Sequence, residues 1–308
     1  MSVKAATTRL LNEFRSRPTL RAGSLITTVF GDAIAPRGGS VWIGSLIRCL
    51  ADFGASERLV RTSMFRLTKD GWFDVEQLGR RSYYRLTTLG TARFEQATHR
   101  IYGEPRQHWD GQWTLALLAG IEGPDKDAVR KELSWLGFGA LTPHTLAHPA
   151  PDAADLNALL QRIGLQDEVV VLQGATLSPA QDQALRAMAQ KSWDLADLDA
   201  RYGAFIRQFR PVYNALRKAR NVPPEVAFQV RTLLIQEYRK ILLRDPLLPA
   251  ELLPKGWHGT GAYQLCRNTY RSVFAAADVY LGAAMETAEG PLPPPEPAFF
   301  RRFGGLAP

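Results

Sequence analysis

What this chain is short of narrows its chemistry first. Two cysteines occur among 308 residues, Cys49 and Cys266, far apart and each inside an apolar helical stretch. That leaves neither a disulfide framework nor paired metal spacing, so both are expected as buried thiols. No run of about 18 apolar residues is available to cross a bilayer. Arg9, Arg15, Arg17 and Arg21 break up the apolar residues of the N-terminus, which therefore lacks a signal-peptide core, and a cytoplasmic location is expected by default. Of the five histidines, His144 and His148 have the i, i+4 spacing of a helical metal pair, but Pro143 and Pro149 argue against a helix there. No Walker sequence, dinucleotide fingerprint or nucleophile motif appears. No metal site and no catalytic residue is expected, and the chain does not read as an enzyme.

What is present is charge with a pattern. The formal net charge is +8, yet residues 1–110 carry +7, residues 111–188 carry −4 and residues 189–308 carry +5. Basic ends flanking an acidic middle favour an anionic partner at one or both ends. The length and the 45% hydrophobic content predict two or three domains.

The basic N-terminal third has an order that points to DNA. A helix over Val41–Leu50, capped by Ser40, a turn at Ala51-Asp52-Phe53-Gly54, and a second helix from Ser56 to Gly71 form a helix-turn-helix. Leu59, Val60, Met64 and Leu67 share one side of the second helix. Arg58, Arg61, Thr62, Ser63 and Arg66 are its candidate DNA-contacting residues, since recognition helices present early residues to the major groove. Strands Trp72–Leu78 and Ser82–Thr87 follow, and Gly79-Arg80-Arg81 between them reads as a wing tip. Arg80, Arg81 and Arg85 are candidates for phosphate or minor-groove contact, while Tyr83 and Tyr84 are expected on alternate faces of the strand.

Residues 1–20 form either a basic helix or an arm reaching DNA. Residues 21–106 make the winged helix-turn-helix with a connecting helix, and a boundary is placed near Gln107. Residues 107–176 alternate strand and helix with three or four strands, which predicts a small central ferredoxin-like α/β domain. Residues 177–289 are mostly helical, and the Pro-rich stretch 290–308 reads as an extended or disordered tail. The expected fold class is multidomain α+β.

Several segments together carry a family resemblance over roughly residues 20–285. They are Ser24–Asp32 with the Gly-rich turn after it, Glu57–Leu67, Gly79–Thr87, Trp109-Asp110-Gly111, and Arg244–Pro249 followed by Glu251–Pro254 and Trp257-His258-Gly259. On these residues the chain resembles the PaaX-type family of bacterial transcriptional repressors, known for control of phenylacetic acid degradation. The resemblance implies a winged helix, a central α/β domain and a helical C-terminal domain, assembled as a homodimer on a palindromic double-stranded DNA operator. It also implies an aryl-acyl-CoA effector, typically phenylacetyl-CoA, that lowers DNA affinity.

For that effector, Arg207, Arg210, Tyr213 and Arg217 form one candidate lining, with Trp257 and Arg267 as a second. A CoA thioester needs cations for its phosphates and an apolar cavity for its acyl end. An amphipathic helix with Tyr202, Phe205, Phe209 and Tyr213 in the core explains the same segment, and both readings stand. Two other functional classes stay open: a metal-dependent nucleic-acid-processing enzyme using the central domain, with Asp110 at a strand start, and an acyl-CoA-binding or thioester-hydrolysing protein.

Overall fold

The computed structural model describes residues 1–104, 109–149, 151 and 153–306. The expected boundary at Gln107, and His108, lie outside the described residues. In chain order the first elements are α1 Val3–Arg15, α2 Ala22–Val29, β1 Ser40–Trp42, α3 Ile43–Ala51, α4 Glu57–Lys69, β2 Phe73–Leu78, β3 Arg81–Leu86 and α5 Thr88–Tyr102. Next come β4 Trp113–Leu117, α6 Gly123–Trp135, β5 Gly139–Thr142, β6 Thr145–His148, α7 Ala153–Ile163, β7 Val170–Gly174 and α8 Pro179–Ser192. Long helices α9 Leu195–Leu216, α10 Pro224–Leu242 and α11 His258–Ala284 lead to a short hairpin, β8 Glu286–Thr287 with β9 Gly290–Pro291. The chain is thus a mixed helix and sheet protein with small sheets.

It divides into two compact units. One draws together residues 1–104, 203–240 and 260–308; the other comprises residues 105–202 and 241–259. The first unit therefore joins segments that the sequence reading assigned to its first and last domains.

In the first unit, residues 1–20 resolve as helix rather than arm. The Ser2 hydroxyl caps α1 by accepting from the Ala5 amide at 3.2 Å, and Ala6, Leu10, Leu11 and Phe14 bury one face. Arg15 Nε donates to the Asp52 carbonyl at 2.8 Å. Arg17 forks onto both oxygens of Glu237 at 2.8 and 3.0 Å, so these two cations hold the fold. The expected cap at Ser40 is corrected: Ser40 opens β1, paired with Arg85, and the helix starts at Ile43 with no side-chain cap bond. Val41 and Trp42, β-branched and aromatic, gain a ladder partner in β3 that the helix would deny them. The turn after α3 passes through Gly54 at φ +83°, a left-handed conformation that glycine adopts without strain.

A buried ion cluster centres on Asp32, which is only 3% exposed. Arg231 Nε donates to one of its carboxylate oxygens at 2.7 Å. The other oxygen accepts from Tyr102 at 2.7 Å, Tyr270 at 2.9 Å and Arg302 at 3.0 Å. Arg231 also donates to Asp278 at 2.6 Å. Arg37 lies 2.6 Å from Asp278, an ion pair by distance without the alignment of a hydrogen bond. Burial would raise the Asp32 carboxyl, but Arg231 and Arg302 outweigh it and hold the group below its ordinary value.

Arg302 overturns the expectation of an extended or disordered tail. Residues Pro297–Gly304 form 3-10 turns in which Phe299, Arg302 and Phe303 are buried. The Phe299 and Phe303 rings and the Arg302 guanidinium have partners in the core, which prolines elsewhere in the stretch do not prevent.

In the second unit, β4, α6, β5, β6, α7 and β7 follow one another, and the strands pair antiparallel in the order β5-β6-β4-β7. Ala116, Leu118, Val129, Leu133, Leu146, Leu156, Leu159 and Leu160 form its core. Strands β5 and β6 form a hairpin turning at Pro143-His144, which brings the sheet to four strands.

Candidate nucleic-acid interface

Helix α4 is organised by its cap and its two faces. The Ser56 hydroxyl accepts from the Leu59 amide at 3.3 Å, and Glu57 sits in the first turn where the helix end is positive. Val60 and Met64 are fully buried and Leu67 is half-buried, which fixes the inward side. Arg58, Arg61, Thr62, Phe65 and Lys69, spaced three or four residues apart, line the opposite side and are exposed. Arg66 is exposed beside that stripe, whereas Ser63 is half-buried at its margin. Arg61 is pre-oriented by Glu57, one turn back, at 2.8 Å.

Strands β1, β3 and β2 form the adjoining sheet in that order. Arg80 follows Gly79 at the exposed tip of the β2–β3 hairpin. Arg81 and Arg85 lie on β3 itself, facing Leu78 and Asp74 across the ladder. Arg81 does not stand free: it donates to Glu286 at 2.8 Å and lies 4.2 Å from the centre of the Trp42 ring. Arg48 approaches the same ring at 4.9 Å and the same carboxylate at 3.3 Å. Hydrogen bonds with Tyr83 and then Glu286 raise the Arg81 guanidinium further above its ordinary value. As expected, Tyr83 and Tyr84 divide between faces, the first buried and the second half-buried. Burial raises the Tyr84 hydroxyl, and nearby Arg61 on α4 offsets part of that.

Sequence reasoning missed three parts of this surface. Phe65 and Lys69 were readable, because they continue the three- and four-residue spacing from Arg58 and Arg61. Glu286 was not, since it comes from a segment about 200 residues downstream with no local signal.

The expected effector residues are not brought together in the same way. Arg207 and Arg210 are exposed on α9, and Arg217 is exposed in the turn just after it. Tyr202, Phe205 and Phe209 are core residues, as the amphipathic-helix reading required, whereas Tyr213 is only half-buried. Trp257 belongs to the second unit, where it packs edge-on to Tyr202 at 5.6 Å, whereas Arg267 belongs to the first. His144 lies in a turn beside Lys126, and His148 is buried with Nε2 3.0 Å from the Pro246 carbonyl oxygen. Asp110 is exposed and accepts from the Gln112 amide at 2.9 Å, closing a local turn. Among the described residues no three His, Cys, Asp or Glu side chains are grouped to hold a metal ion, and no helix is long and apolar enough to cross a membrane.

Comparison with known proteins bears on all three segments. Family models match residues 21–90 (PaaX-like protein), 106–186 (PaaX protein central Cas2-like domain) and 193–283 (PaaX-like protein C-terminal domain). The Transcriptional repressor PaaX of Escherichia coli (strain K12) is 42% identical over 284 residues, covering 92% of this chain and 90% of that protein. This chain belongs to the PaaX-like family. Among solved structures, the uncharacterized protein Rv0674 from Mycobacterium tuberculosis superposes with a TM-score of 0.54 over 85% of this chain and 99% of its own, at 22% identity. That likeness is one of fold. The PaaX-like match at residues 21–90 spans the whole surface described above except Glu286.

Proposed function

We propose that this PaaX-like protein is a DNA-binding transcriptional repressor of aromatic acid catabolism of the phenylacetate type, and not an enzyme. The outward face of α4 carries the proposal: three exposed arginines, a threonine and a lysine on a capped helix whose other side is anchored by Val60 and Met64. With α3 before it and the β2–β3 hairpin after it, this segment is read as a winged helix-turn-helix. Arg58, Arg61, Thr62, Ser63 and Arg66 enter the major groove, and Arg80, Arg81 and Arg85 follow the backbone. The name of the 42% identical relative supports repression as the outcome. In this chain the βαββαβ order from β4 to β7 and the antiparallel sheet support a ferredoxin-like reading of the central domain.

In this reading a homodimer occupies two half-sites, and an aryl-acyl-CoA such as phenylacetyl-CoA releases it. A coupling of about 1 to 3 kcal/mol between the sites corresponds to a roughly 5- to 150-fold loss of DNA affinity, enough for a switch. Arg207, Arg210, Tyr213, Arg217, Trp257 and Arg267 remain the candidate effector contacts. The test is a gel-shift titration of the DNA upstream of this protein's own gene, at fixed salt, with and without phenylacetyl-CoA or free phenylacetate. A specific shift released by the thioester alone is the expected result. A shift indifferent to both keeps the repressor and rejects the effector, and the absence of a specific shift rejects the DNA reading.

A further inference from the structure

Phe65 is 69% exposed on the outward face of α4, turned away from the side that buries Val60 and Met64. A single exposed apolar residue is ordinary on any protein surface, so exposure alone argues nothing. Its position does. Arg61 and Thr62 lie one turn before it and Lys69 one turn after, all exposed on the same stripe. An anionic duplex drawn to those cations must lie over the phenylalanine ring, which is the one large apolar group on that line.

A ring held there has little to gain from phosphates or from the polar edges of most bases. The major groove offers one apolar feature, the 5-methyl group of thymine, and apolar side chains recognise it by burying it. Arg58 and Arg61 supply donors suited to guanine and to the backbone, so a methyl-reading residue adds a complementary kind of discrimination. Helix α4 is also rigid at this point, with Met64 immediately before Phe65 fully buried.

We propose that Phe65 is a specificity-determining residue that reads a thymine methyl group in the major groove. This rests on the DNA-binding reading above and adds a defined base to it. The test uses the full-length protein and the upstream DNA fragment prepared with thymidine or with deoxyuridine, which differs by that methyl group alone. Wild-type protein is expected to bind the thymidine fragment roughly fourfold more tightly per contacted methyl, the ratio that burial of about 0.8 kcal/mol gives. Phe65→Ala should bind both fragments alike at the lower affinity, with an unchanged melting temperature and oligomeric state. Arg61→Ala should lose affinity for both fragments while keeping the preference.

Three results overturn the proposal while leaving DNA binding intact: a wild-type protein that binds the two fragments equally, a Phe65→Ala variant that still prefers thymidine, or a Phe65→Ala variant whose oligomeric state changes, which would make the face a protein interface. A wild-type protein with no sequence-specific shift on either fragment overturns the DNA reading and this proposal together.

Discussion

Asp32 shows how much one buried carboxylate can decide. It accepts from two guanidinium groups and two phenols contributed by α5, α10, α11 and the C-terminal turns. Such a group is poor evidence of net stability relative to an apolar core, but removing one partner leaves the others uncompensated. Arg37, Arg231 and Arg302 already outnumber Asp32 and Asp278. Asp32→Asn is therefore expected to destabilise the first unit by about 3 to 5 kcal/mol, read as a shift in the urea midpoint. The pH dependence has a definite sign. Because the folded carboxyl lies below its ordinary 3.8, its contribution is complete above that value and is lost as pH falls through the lower folded value. Wild-type stability should thus decline below about pH 4 with a component that Asp32→Asn lacks; parallel profiles for the two proteins would remove Asp32 from the acid response.

At the scale of elements, α4 and the hairpin beside it make separable contributions. Ser56→Ala deletes the cap of α4 and should cost about 1 kcal/mol of stability while leaving its outward residues unchanged. Arg58→Ala, remote from the buried side, should instead leave the melting temperature alone and weaken binding to the upstream DNA by about 1 to 3 kcal/mol. An unaltered affinity would strike Arg58 from the contacts. Glu286 is the counterexample to reading cations as free. It pairs with both Arg81 and Arg48, each of which also lies over the Trp42 ring. Glu286→Gln is expected to change stability by less than about 1 kcal/mol, since both pairs are exposed, and to steepen the salt dependence of DNA binding by about one released counterion. A salt slope identical to wild type would mean that Arg81 does not exchange Glu286 for phosphate. These elements also mark what sequence could reveal. Local signals located the start of α4 at Ser56 and the β2–β3 hairpin closely, because turn glycines and helical spacing act within a few residues. Ser40 was misassigned because the competing partner, β3, lies some 40 residues away. The tail was misjudged because five prolines masked Phe299, Arg302 and Phe303, whose partners are distant in sequence.

For the molecule as a whole, the same long-range partners bear on what can fold alone. Residues 1–104 contain every candidate DNA contact, yet their core is completed by chain from beyond residue 200. Phe53 meets Phe228 at 5.9 Å, the Tyr102 ring meets Phe303 at 5.3 Å, and Gln229 donates to the Asp52 carboxylate at 3.0 Å. Cutting the chain after Glu104 would expose these apolar faces and leave Asp32 without Arg231 and Arg302. A fragment of residues 1–104 is therefore expected to lack a cooperative thermal transition and to bind the upstream DNA without sequence preference. A fragment spanning 1–104 that melted cooperatively and kept specific binding would show that the N-terminal third is an autonomous domain. The expected failure instead ties the position of α4 to α10, α11 and the C-terminal turns. A change in those distant segments would then reach the DNA-facing helix through the core they share with it, with no need for contact at the DNA itself.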